Sequence, residues 1–177
     1  MVLGNLSKRI DGIKGTVNAK CLGFFNEASI YQNGIPVDFK TDMIQSTLGL
    51  NSNPQSWLEI DYQLGYNVNS LSFLMSKTST KSLTQELQLS ILPIESLSLT
   101  VTVEHYANYF SSLPSKQAIF NDIRCSYKYR KIDIIGNLTN IFNQKYYSHT
   151  SYNDLSSSYD KYSLRGRNFL LSIVAYF

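Results

Sequence analysis

The sequence predicts an all-β chain, an antiparallel up-and-down meander of about eight strands. Three observations predict it. Period-two alternation of apolar and polar residues recurs along the chain, while helical periodicity is hard to find. The connections alternate between short and long. Charged residues keep to one parity of the alternation.

The stretches near 15–31 and 41–52 alternate weakly but readably. Leu58, Ile60, Tyr62, Leu64 and Tyr66 alternate with Glu59, Asp61, Gln63 and Gly65. Leu83, Leu87, Leu89 and Ile91 alternate with Thr84, Glu86, Gln88 and Ser90. Leu97, Leu99, Val101 and Val103 alternate with Ser98, Thr100, Thr102 and Glu104. Ile123, Cys125, Tyr127 and Tyr129 alternate with Asp122, Arg124, Ser126 and Lys128. Ile132, Ile134 and Leu138 alternate with Asp133, Ile135, Asn137 and Thr139. The last strand has one wholly apolar face, Phe169, Leu171, Ile173, Ala175 and Phe177, and a mixed one.

Short connections are expected at Lys8–Gly12, Asn51–Gln55, Leu92–Glu95 and Tyr129–Lys131, and long polar ones near 30–40, 69–80, 108–117 and 143–162. Tight turns at one end of a meander and long loops at the other are the habit of membrane-spanning barrels. Charge placement agrees. Lys20, Glu59, Asp61, Glu86, Glu104, Asp122, Arg124, Lys128 and Asp133 all take the non-apolar parity. A lysine or arginine facing mid-bilayer lipid costs roughly 2–4 kcal/mol, whereas one facing a wet lumen costs little. Arg167, His105 and Gln85 fall on the apolar parity and are expected toward the loop ends of their strands. Tyr106, Tyr109, Phe110, Tyr146, Tyr147, Tyr159 and Tyr162 gather near the long-loop ends. Tyr127, Tyr129, Tyr176 and Phe177 gather near the short turns. Two interfacial aromatic girdles are expected of a barrel in a bilayer.

Composition narrows the function classes. A formal charge of +3 is too small to argue for nucleic acid. No apolar run is long enough for a transmembrane helix. Residues 1–15 lack the apolar core and cleavage site of a signal peptide, so the expectation is a cytosolic chain or a piece of a longer exported precursor. Cys21 and Cys125 have no nearby metal-ligating partners and read as packing residues. His105 and His149 show no partners for nucleophilic catalysis. No enzyme activity and no cofactor are expected.

The stretch NLTNIFNQKYYSHTSYNDLSSSYDKYSLRGRNFLLSIVAYF, residues 137–177, resembles the C-terminal end of TonB-dependent receptors. It is most similar to the outer-membrane β-barrel family whose full-length members carry an N-terminal carboxypeptidase-like domain and a plug. The matching residues are Asn140, Phe142, Asn143, Tyr146 and Tyr147, then Arg165 and Arg167 around Gly166, where proline is usual. Phe177, with Phe169, Leu171 and Ile173, matches the terminal strand that the barrel-assembly machinery recognises.

The resemblance implies that residues 1–177 are the C-terminal portion of a transmembrane barrel of roughly 22 strands. The plug, signal peptide and N-terminal strands would lie outside the chain. It implies a Gram-negative outer membrane, nutrient uptake, lipid around the wall and a surface lipoprotein as a candidate partner. The TonB system would act only through the plug. Glu59, Asp61, Glu86, Glu104, Arg124, Lys128 and Asp133 would line the lumen, and loops 69–80 and 143–162 would be available to a substrate or partner. Two alternatives stand beside it: a complete small barrel of about eight strands with a structural or adhesin role, and a soluble β-barrel carrying a ligand.

Overall fold

A computed structural model describes residues 1–73, 76–110, 116–152 and 157–177. Eleven strands are present among them: β1 (Val2–Ile10), β2 (Gly15–Gln32), β3 (Ile35–Gln55), β4 (Leu58–Phe73), β5 (Ser76–Ile94), β6 (Leu97–Phe110), β7 (Lys116–Tyr129), β8 (Ile132–Thr139), β9 (Tyr146–Tyr152), β10 (Ser157–Ser163) and β11 (Asn168–Ala175). Nine form one antiparallel sheet in the order β1-β2-β3-β4-β5-β6-β7-β8-β11. β9 and β10 form a separate hairpin between β8 and β11. The sheet is up-and-down and open, with β1 and β11 as its edges.

The expected count of about eight falls short of these eleven by β1, β9 and β10, and β1 pairs with β2 residue for residue from Val2↔Gly23 to Ile10↔Gly15. Three short turns lie slightly beyond their expected places, at a 3-10 turn (Asp11–Ile13), at Ser56-Trp57 and at Glu95-Ser96, and the fourth, Arg130-Lys131, lies where it was expected. The expected long loops near 30–40 and 69–80 are largely strand instead. β2 and β3 run up to Asn33-Gly34, both with positive φ (53° and 82°), which suits a two-residue hairpin turn. β4 reaches Phe73 and β5 begins at Ser76. Polar composition misled the expectation here, because Ser70, Ser72, Ser79 and Lys81 interrupt the apolar parity while the strand pairing continues through them. Within 108–117, residues 111–115 lie outside the described residues, as do 74–75 and 153–156 in the other two segments.

The register turns separate alternations into one surface. Ile60 pairs with Leu89, Leu89 with Val101, Val101 with Ile123, Ile123 with Leu138 and Leu138 with Phe169. Side chains opposite one another across antiparallel strands share a face, so six apolar residues make one continuous row. The row Leu58–Ile91–Leu99–Cys125–Gly136–Leu171 runs beside it. Toward the far ends of the strands this face turns polar at an aligned level, Asp42↔Ser70↔Ser79.

Among the described residues no layer covers the apolar face of the sheet, and only the β9–β10 hairpin touches the polar one. Among the described residues the buried hydrophobics are Val37, Ala107 and Ala118, and no large side chain is fully buried. Phe169 and Ile173 are 65% and 66% exposed. Cys21 and Cys125 are likewise free and exposed, not packed as expected. This is a single layer, whereas domains ordinarily bury a sheet's apolar face against a second layer.

Candidate functional site

The opposite face carries the polar chemistry. Glu59, Ser90, Thr100 and Arg124 share one row, and Asp61, Gln88, Thr102 and Asp122 the next. Gln63, Glu86, Glu104 and Phe120 form the third. Lys128 stands opposite Asp133 near the short turns. The residues expected to line a lumen therefore share one face. A recess of 560 Å³ opens on it, lined among others by Lys20, Asn51, Asp61, Glu86 and Gln88. Asn51 Nδ2 donates to Asp61 Oδ1, and the Tyr176 hydroxyl donates to Asp133 Oδ2 at 3.0 Å.

Two polar residues on the apolar face satisfy each other. Gln85 and His105 are direct cross-strand partners, and Gln85 Oε1 lies 3.3 Å from His105 Nδ1. Sequence left His105 without a partner, because a cross-strand neighbour is set by register and not by spacing. Asn121, on the same parity, accepts a hydrogen bond at Oδ1 from the Phe142 amide at 3.0 Å. His149 belongs to β9, but its side chain lies outside the described residues.

The stretch 140–147 and 165–167 folds into a latch. Asn140 and Asn143 take left-handed backbone angles, φ 52° and 56°, which asparagine accepts better than most residues. The Asn140 side chain accepts from the Gln144 amide at 2.7 Å and donates to the carbonyls of Gln144 and Arg165, each at 2.9 Å. Its own amide donates to Asp122 Oδ1 at 2.9 Å. Asn143 Oδ1 accepts from the Arg167 amide at 3.1 Å. Arg167 Nε and Nη2 both donate to the Ile141 carbonyl, at 2.9 and 2.6 Å. Arg165 enters through its backbone, and its side chain is exposed. These bonds join the end of β8 to the start of β11 and fix the base of the hairpin between them.

Tyr147 then lies over the polar face. Its ring centroid is 6.2 Å from those of both Tyr106 and Phe120, and 6.4 Å from that of Tyr162. The loop-end aromatics were expected to form an outward girdle. Tyr106 and Tyr147 instead meet on the polar face, while Tyr109 stands on the apolar parity opposite Lys81. Tyr176 likewise turns to Asp133 on the polar face. The side chains of Phe110 and Tyr159 lie outside the described residues. Phe142 and Tyr146 are exposed, and Lys161 Nζ sits 4.2 Å from the centre of the Tyr146 ring.

Among the described residues no helix is long and apolar enough to cross a membrane, which says nothing of strands. No cluster of metal-ligating side chains occurs among them either. The fold and its faces define a class: a single-layer, open antiparallel meander, apolar on one side and polar on the other. Comparison with protein-family models, curated proteins and solved structures finds no match for the chain.

Proposed function

We propose that the chain is a wall segment of an outer-membrane β-barrel of the TonB-dependent transporter type, with its apolar face toward lipid and its polar face toward the lumen. One observation carries the membrane reading. The apolar rows from Ile60 to Phe169 and from Leu58 to Leu171 cross the sheet with no second layer of described residues over them, while the contacts of the β9–β10 hairpin with Tyr106 and Phe120 go to the polar face. Leaving a Leu, Ile or Phe side chain in water forgoes roughly 1.5–3 kcal/mol each. Many such residues in water exceed the stability of an ordinary domain, about 5–15 kcal/mol. Hydrocarbon removes that penalty.

Strand direction favours a segment over a self-closed barrel. Nine successive antiparallel strands leave β1 and β11 running the same way. Joined directly, they would make a parallel seam. An all-antiparallel barrel needs an odd number of further strands between them, and bacterial single-chain barrels have even totals. The transporter type rests on the resemblance of residues 137–177. In that setting the wall meets lipid, the barrel-assembly machinery reads Phe169, Leu171, Ile173 and Phe177, and a surface lipoprotein is a candidate partner. The protruding ends of β2–β5 stand outside the bilayer.

Two measurements test this. Fluorophores at Leu89, Leu99 and Ile173 in the bilayer-reconstituted chain should be quenched by brominated lipid, and those at Gln88, Thr100 and Ser172 should not. A monodisperse, detergent-free particle with Leu89, Leu99 and Ile173 in a dry protein interior would overturn the membrane reading. The reading frame upstream of codon 1 tests the transporter type. A continuation encoding further strands and a plug supports it, and a stop codon beside a ribosome-binding site counts against it.

A further inference from the structure

We propose that the aromatic cluster beneath the β9–β10 hairpin is a binding site for an organic cation, of the quaternary or protonated amine class. Tyr106, Phe120 and Tyr147 meet on the polar face with centroid separations of 5.9, 6.2 and 6.2 Å. Two of the ring pairs meet edge to face at 69° and the third is tilted at 57°, around a nearly equilateral triangle of centroids. A cation seated over that triangle lies within the roughly 6 Å that a cation–π contact requires of all three rings.

The space is there. A recess of 380 Å³ is lined by Glu104, Tyr106, Phe120, Tyr147 and Leu164. That volume is ample for a small amine.

The charge is of the right sign. Glu104 lies at the rim, and Glu86 stands directly opposite it on β5. Like charges placed opposite each other on neighbouring strands repel, and a bound cation relieves that repulsion. The Tyr106 hydroxyl donates to Glu104 Oε2 at 2.9 Å, which holds the carboxylate beside the ring. Among the described residues the ion pairs are Arg9–Asp11 and Lys40–Glu27, so neither Glu86 nor Glu104 is salt-bridged. An anionic or purely apolar ligand would gain nothing from these carboxylates. The site does not depend on the transporter reading, because it is built within the described fold on the polar face.

The test is calorimetric titration of the folded chain in octyl glucoside, a detergent without a cationic head group. Choline is the probe, and 3,3-dimethylbutan-1-ol is its uncharged isostere. Saturable choline binding, at least about tenfold tighter than that of the neutral analogue, is expected. Glu104→Gln and Tyr147→Leu should each weaken choline by about fivefold or more, leaving the neutral analogue unchanged. Tyr106→Phe keeps the ring but releases the Glu104 carboxylate, and should weaken choline less than Glu104→Gln does. Equal affinity for choline and the isostere overturns the proposal. So does the absence of saturable binding in a chain whose circular dichroism shows the strands formed. If Tyr147→Leu fails to fold, Glu104→Gln decides.

Discussion

Asn140 Nδ2 donates a hydrogen bond to the Arg165 carbonyl at 2.9 Å, across 25 residues of chain. That one bond joins the exit of β8 to the approach of β11 and closes the base of the β9–β10 hairpin. With the same side chain also bridging to Gln144, β11 is held in line to pair with β8 from Asn168↔Thr139 onward.

Asn140→Ala removes three side-chain hydrogen bonds from a partly buried site and leaves a β-carbon at positive φ. At about 1 kcal/mol per bond, the loss should be near 3 kcal/mol, with a further 1–2 or so for the backbone. Asn140→Gly forfeits the bonds but not the backbone conformation, so it should fall between wild type and alanine. Denaturant unfolding in detergent measures both. Limited proteolysis should cut the Asn140→Ala chain first within 143–166.

Gln85 and His105 should behave as a pair. Gln85→Leu or His105→Leu alone strands a polar group on the apolar face, at about 1–3 kcal/mol. The double leucine variant should be near neutral or stabilising, because it extends the apolar row on both sides. A double-mutant cycle on unfolding midpoints reads the coupling. Additive single effects would mean the two side chains do not interact.

The two faces should differ sharply in tolerance of charge. Leu89→Arg, at the centre of the apolar row, should cost roughly 2–4 kcal/mol in a bilayer. Thr102→Lys, on the opposite face, should cost less than about 0.5 kcal/mol. Folding yields into lipid vesicles at matched lipid-to-protein ratio compare them. Equal yields would contradict the assignment of faces.

Glycine positions give a finer check on register. A β-carbon at Gly15 would collide with the Asn51 carbonyl and with Ser52, which are fixed by the strand pairing. At Gly65 the nearest obstacle is the Thr84 hydroxyl, which can rotate away. Gly15→Ala should therefore destabilise by about 1–3 kcal/mol, as overpacking does, and Gly65→Ala by much less. Comparable losses at both would mean that β2 and β3 pair in a different register.

Most of the strand assignment was legible, because a period of two places every second residue on one face whatever lies beyond. The alternations in 58–66 and 97–103 needed no tertiary information. The extended ends of β2–β5 were not legible, since Asp42, Ser70, Ser72, Ser79 and Lys81 interrupt the apolar parity of their strands. Asn33-Gly34 was the available signal, because strands must approach a two-residue turn closely from both sides. The last forty residues pointed to Asn140, Asn143 and Arg167 as a motif. That these form a latch, closed by backbone carbonyls of Ile141, Gln144 and Arg165, required the path of the chain in space.

By itself the sequence determined the alternation and which parity is apolar and which carries charge, since these follow from local periodicity. Only the tertiary structure decided which alternations join into one row, that β11 bypasses the hairpin to pair with β8, and that Tyr106 and Tyr147 meet on the polar face. Each of those depends on register between strands distant in sequence, and a shift of one residue, invisible in the pattern of a single strand, would reverse every side chain.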